Sequence, residues 1–204
     1  METVEVKFGD WIQKGFDLFK SNAGVLIPAL LVAYLLSAVT IGILAGPMWV
    51  GMILITFALI DKKEPKPTIG DVFKGFAYFL PSFLFMLLFG IAAMVVSLIL
   101  MWIPCIGMLL NMLLLIAAST AVMFTLFLIA DRKLDFIPAI RESWAMVKKN
   151  FWQFLALNLV AAVIGSIGSV VCGIGAIITM PLYFTIMATA YRELFGPAAT
   201  PATT

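Results

Sequence analysis

Reading along the chain for Asp, Glu, Lys and Arg gives three uninterrupted runs without charge, Ser21 to Ile60, Gly75 to Ala130 and Asn150 to Tyr191, of 40, 56 and 42 residues. A helix crossing roughly 30 Å of membrane hydrocarbon at about 1.5 Å per residue needs about 20 apolar residues, so each run is long enough for two crossings. The break points agree: "GILAGPMW", "MWIPCIG" and "GSVVCGIGA" fall inside the runs, and Gly and Pro end helices and form tight turns. None of the runs alternates apolar and polar residues at period two, as the strands of a transmembrane barrel would. Since only helices and closed barrels satisfy the backbone in lipid, the expected fold is all-α integral membrane, with six transmembrane helices arranged as three hairpins.

A second pattern precedes each hairpin. "FGDWIQKGFDLFKSN" sets Phe8, Trp11, Ile12, Gly15, Phe16 and Phe19 on one helical face, the spacing of an amphipathic helix. "IGDVFKGFAYFLPS" repeats it with Ile69, Val72, Phe73, Phe76, Phe79 and Leu80, and "FIPAIRESWAMVKKNF" with Ile137, Ile140, Trp144, Val147 and Phe151. "KGF" recurs at Lys14 to Phe16 and Lys74 to Phe76, and Lys148 and Asn150 stand where the first copy has Lys20 and Asn22. The chain reads as three parallel repeats, about 8–60, 69–130 and 136–191, each an interfacial helix followed by a hairpin. Residues 1–196 form one membrane domain, and 197–204, within the ending "GPAATPATT", are expected to be a disordered tail.

Composition strengthens the membrane reading. The chain is 63% hydrophobic and 12% charged, with a mean hydropathy of +1.12, against about a quarter charged residues in soluble domains. All 13 Lys and Arg fall in four segments outside the charge-free runs. With two crossings between neighbouring segments, all four face one side, and the excess of Lys and Arg marks it as cytoplasmic. Both termini are therefore expected in the cytoplasm. Trp11, Phe16, Phe76, Trp144 and Trp152 are candidate anchors at the inner interface, and Trp49 and Trp102 at the outer one. The first apolar run is too long for a secretory leader and lacks a small-residue cleavage site.

"RESWAMVKKNFWQFLALNLV" together with "MPLYFTIMATAYRELFG" resembles a broad group of bacterial inner-membrane proteins without assigned chemistry, including the membrane domain found with some glycerophosphoryl diester phosphodiesterases. The likeness covers 136–196 well and the remainder loosely. It implies a multi-span protein of the bacterial inner (plasma) membrane. Nothing in these residues corresponds to the phosphodiesterase catalytic domain, so that activity is not implied.

Candidate chemistry is sparse. The chain contains no His, which removes the commonest ligand for zinc, copper and haem iron and the usual general base. It has no phosphate-binding glycine loop and no nucleophile elbow. No cofactor, metal site or nucleic-acid partner is expected. The spans carry no Asp, Glu, Lys or Arg of the kind that ion-coupled carriers bury. Among their polar residues, Asn111 and Asn158 are read as interhelical hydrogen-bonding groups or as part of a path for a neutral solute. Asp131 and Asp135, beside Arg132 and Lys133, are the close acidic pair near a span and read as a solvated cap. Cys105 and Cys172 fall at corresponding outer tips of the second and third hairpins, where they either form a disulfide or stand as inert small residues.

Three function classes follow. The first is a noncatalytic membrane subunit or scaffold, docking membrane lipid, a protein partner or a second copy through its aromatic, basic helices. A transporter or channel for a neutral or lipidic solute is the alternative. An enzyme of lipid metabolism is the weakest of the three and is not expected.

Overall fold

The structure, a computed structural model, describes residues 7–103, 106–166, 168 and 175–196. Cys105, Cys172 and the tail 197–204 lie outside them. Every element among the described residues is helical: α1 (Phe8–Val39), α2 (Ala45–Ile60), a 3-10 helix (Ile69–Tyr78), α3 (Phe79–Met101), α4 (Gly107–Ala121), α5 (Thr125–Arg132), α6 (Phe136–Val147), a short 3-10 turn (Lys148–Asn150), α7 (Phe151–Ser166) and α8 (Gly175–Phe195). Among the described residues three stretches are long and apolar enough to cross a membrane: Phe8–Val39, Ile69–Met101 and Gly107–Arg132. On α3 and α4 large apolar side chains stand exposed all round, among them Leu87, Ile91, Leu98, Met108, Leu109 and Met112. A helix apolar on every side and exposed belongs in lipid.

The first long helix is two helices in series. At Asn22 the backbone leaves helical geometry (φ −129°, ψ 17°), and the Asn22 amide donates to the Leu18 carbonyl at 2.9 Å, a side-chain bond of the kind that competes with the helix ladder. Below the break lie the aromatic and basic residues 8–21; above it lies an apolar helix that turns at Thr40–Leu44 into α2. The turn uses Gly42 at φ +84°, which glycine adopts without steric cost. Ile41, Gly42 and Ile43 line an open groove together with α3 residues between Phe83 and Met94, short of the end of α3 at Met101.

Three lower segments, residues 8–21, Ile69–Tyr78 and α6, each run against the second helix of a hairpin, and at each contact a small residue is buried. A Cβ on Gly75 would stand 1.9 Å from the Pro47 carbonyl oxygen and 2.6 Å from Gly51 N. Gly51 is as tight in return, 1.9 Å from the Val72 oxygen. The two backbones touch. This explains why the segment is a 3-10 helix: residues three apart eclipse in that geometry, so Val72 and Gly75 face α2 in one line, while Phe73 and Phe76 stack outward with rings 6.3 Å apart and 2° from parallel.

Gly15 plays the same part on α8, where a Cβ would lie 2.7 Å from the Ile186 Cα. Ser143 does so on the third contact, at the break between α4 and α5. Its hydroxyl accepts from the Phe124 N–H at 3.3 Å and donates to the Ala121 carbonyl at 2.9 Å, supplying partners where the helix ladder is interrupted. Ile69–Tyr78 packs on α2, α6 on α5, and residues 8–21 on α8, which closes the ring. Inside it α2, α5 and the lower half of α8 form the core, with Phe57, Phe124, Phe127, Phe154 and Tyr191 buried.

Candidate functional site

The first charged residue after each charge-free run is Asp61, Asp131 and Arg192, and the fold brings the three together. One guanidinium nitrogen of Arg192 donates to Asp131 Oδ1 at 2.7 Å and the other to Asp61 Oδ2 at 2.8 Å. The guanidinium also lies over the Phe57 ring, 3.9 Å from its centroid, and the Tyr191 hydroxyl donates to Asp131 Oδ2 at 3.0 Å. The side chains are 10% exposed at Arg192, 4% at Asp131 and 22% at Asp61. Buried charges are tolerated when paired and hydrogen-bonded, and Arg suits two carboxylates at once because its donors form a planar fork. This clasp ties together the lower ends of α2, α5 and α8. Asp131 is therefore not the solvated cap that its neighbours Arg132 and Lys133 suggested, since its carboxylate is consumed by Arg192 and Tyr191.

Further ties fasten the outer segments. Trp11 Nε1 donates to Glu193 Oε2 at 2.8 Å, and Lys14 pairs with the other carboxylate oxygen. The Lys14 ammonium, with the Trp11 N–H second, holds the Glu193 carboxyl below the usual carboxylate range. Arg132 pairs with Glu142 at 2.8 Å, joining α5 to α6, and Arg132 lies 5.4 Å from the centroid of the Phe195 ring. On the 3-10 segment, Asp71 accepts from the Thr68 N–H at 2.7 Å in a capping box and pairs with Lys74 at 2.7 Å.

The residue after each inward-facing small residue is an exposed aromatic: Phe16 (50% exposed) after Gly15, Phe76 (41%) after Gly75, and Trp144 (45%) after Ser143. Phe73, Ile69, Ile137 and Trp152 extend this apolar surface. Lys14, Lys74, Lys148 and Lys149 stand among these residues along the same segments. These rings and ammonium groups form an aromatic and basic belt along the three lower segments, in which Lys14 and Lys74 also pair with Glu193 and Asp71.

Other expected residues are placed differently. Trp11 is buried beneath Glu193. Trp49 is half-buried, edge-on to Phe184 with ring centroids 6.1 Å apart, whereas Trp102 stands exposed at the end of α3. The two asparagines occupy different clefts. Asn111 accepts from the Ser97 hydroxyl at 3.1 Å between α3 and α4. Asn158 sits between α4, α7 and α8, donating to Ser119 at 3.2 Å and Thr120 at 3.1 Å and accepting from Tyr183 at 3.5 Å. Positions 111 and 119 on α4 are about 12 Å apart along the helix, and the two asparagines line separate clefts.

No family model, characterised protein or solved structure matches the chain.

Proposed function

We propose that the chain is a noncatalytic integral membrane scaffold of the bacterial inner membrane, with six spans in three hairpins and both termini cytoplasmic, which docks anionic lipid through the aromatic and basic belt. The observation that supports this most is the repeated pairing of an inward small residue with an outward aromatic at Gly15–Phe16, Gly75–Phe76 and Ser143–Trp144. Aromatic rings favour the headgroup boundary and Lys side chains favour anionic headgroups, at about 1 kcal/mol per basic residue near the surface. The noncatalytic reading draws on the lack of His and on the engagement of the two converging carboxylates by Arg192.

The test uses the full chain in nanodiscs containing a mixture of phosphatidylglycerol and phosphatidylcholine, with retained lipid measured by native mass spectrometry. Phosphatidylglycerol is expected to be enriched on the protein. The triple variant Phe16→Glu, Phe76→Glu, Trp144→Glu is expected to lose the enrichment while keeping its helix content. Equal retention of both lipids by the unmodified chain overturns the lipid-docking reading; a stoichiometric protein co-purifying from native membrane would replace lipid with a protein partner.

The second reading, passage of a neutral or lipidic solute, is favoured by the polar cleft at Asn158, whose lining carries no charged residue.

A further inference from the structure

A cleft of about 320 Å³ opens between α2, α4, α7 and α8, lined by Trp49, Ser119, Asn158, Ala162, Tyr183 and Phe184 among others. Its volume sits at the small end of the roughly 300–1,000 Å³ of ligand sites, and it has the usual character of one, apolar walls with a few converging polar groups. We propose that it binds a neutral single-chain lipid whose head donates a hydrogen bond, a long-chain alcohol being the simplest such molecule.

The hydrogen-bond inventory carries this choice. Both Asn158 amide hydrogens are used, on Ser119 and Thr120. The Ser119 hydroxyl hydrogen goes to the Ile116 carbonyl, that of Ser166 to the Val163 carbonyl, and that of Tyr183 to Asn158 Oδ1 over a long 3.5 Å. Of the side-chain donors on the lining, the Trp49 indole N–H alone has no partner among these bonds. Beyond it the lining offers accepting capacity: the second lone pair of Asn158 Oδ1, the phenolic oxygen of Tyr183 and the hydroxyl oxygen of Ser166. A ligand that only accepts, such as an ester or ether, has the Trp49 N–H alone to meet, whereas a hydroxyl can accept from it and also donate to one of the free acceptors.

Depth and charge narrow the class further. Asn158 lies midway along α7 (Phe151–Ser166), far from either end; on the six-span reading proposed above, a hydroxyl entering there from lipid has no water to bond with and gains most from a protein acceptor. A carboxylate or ammonium head would have to shed its hydration against walls that offer no counter-charge. The ligand is therefore neutral.

The test uses the full chain in nanodiscs and a hexadecanol brominated at the far end of its chain, whose bromine quenches nearby tryptophan. Saturable quenching is expected in the unmodified chain. Trp49→Phe should remove the saturable component, since Trp49 is the tryptophan that lines the cleft. Ala162→Phe, which fills the cleft from an exposed position, should weaken binding at least about tenfold. Unlabelled hexadecanol should displace the probe about tenfold more effectively than hexadecyl methyl ether, which keeps the oxygen but cannot donate, as expected for one net hydrogen bond. Equal displacement by alcohol and ether overturns the proposal, as does saturable quenching that survives Trp49→Phe or Ala162→Phe. If Ala162→Phe does not fold, the comparison of alcohol with ether on the unmodified chain still decides.

Discussion

Arg192 and Asp131 form an ion pair of 2.7 Å between side chains that are 10% and 4% exposed, joining the last turns of α8 and α5. Asp61 completes the clasp from α2 at 2.8 Å. Breaking such a pair by removing one partner leaves the other charge buried, at a cost of about 3–5 kcal/mol. Arg192→Leu is therefore expected to lower stability in detergent by about that amount, followed by thermal or denaturant unfolding. The triple variant Arg192→Leu, Asp61→Asn, Asp131→Asn should recover a large part of the loss, because no uncompensated charge remains. A single variant within about 0.5 kcal/mol of the unmodified chain, the range of an ordinary surface substitution, would show that the clasp does not hold the three helix ends.

Gly75 is expected to be intolerant of even a methyl group, because a Cβ would meet the Pro47 oxygen at 1.9 Å and Gly51 N at 2.6 Å, both backbone atoms. Overpacking of this kind costs about 1–3 kcal/mol. Gly9 has nothing within 4 Å of its would-be Cβ, so Gly9→Ala is the control and should be neutral or slightly stabilising. Equal effects of the two substitutions in the same unfolding assay would contradict the close approach of the 3-10 segment to α2.

The long apolar helices were legible in the sequence because forty or more residues without charge have few physical explanations besides lipid. The reading of three repeats starts from the two "KGF" copies; the corresponding Glu142-Ser143-Trp144 shares only the small residue followed by an aromatic. Periodicity suggested amphipathic α-helices lying at the interface and did not say which face turns inward. That Ile69–Tyr78 is a 3-10 helix depends on Gly51, a residue of another element, permitting backbone contact. The clasp was hidden for a similar reason. Asp61, Asp131 and Arg192 are far apart in sequence and each looks like an ordinary end of a span; only packing of the three hairpins reveals that two carboxylates and one guanidinium share a site. The signal that would have found them is their common position as the first charge after each apolar run.

The attachment of the first segment to α8 should depend on pH. The Glu193 carboxyl is held below its ordinary range by Lys14 and Trp11, so its contribution is fully present above the unfolded carboxylate value of about 4.3 and is lost as pH falls through the lowered folded value. Acid titration followed by the emission of Trp11, in a chain with the other four tryptophans replaced by Phe, should show a transition below the ordinary carboxylate range that Glu193→Gln abolishes. An unchanged acid transition in Glu193→Gln would assign it to other groups.

In the proposed topology the clasp, the belt and all the charged connectors lie on one cytoplasmic side of a six-span chain. Its most direct measurement is labelling of single cysteines in intact bacteria with a membrane-impermeant maleimide, in the full chain with Cys105 and Cys172 replaced by Ser. Cysteines at Gly9, Lys66 and Lys149 should be protected in intact cells and labelled after lysis, whereas one at Trp102 should be labelled from outside. Labelling from outside at Gly9, Lys66 or Lys149 would contradict the account.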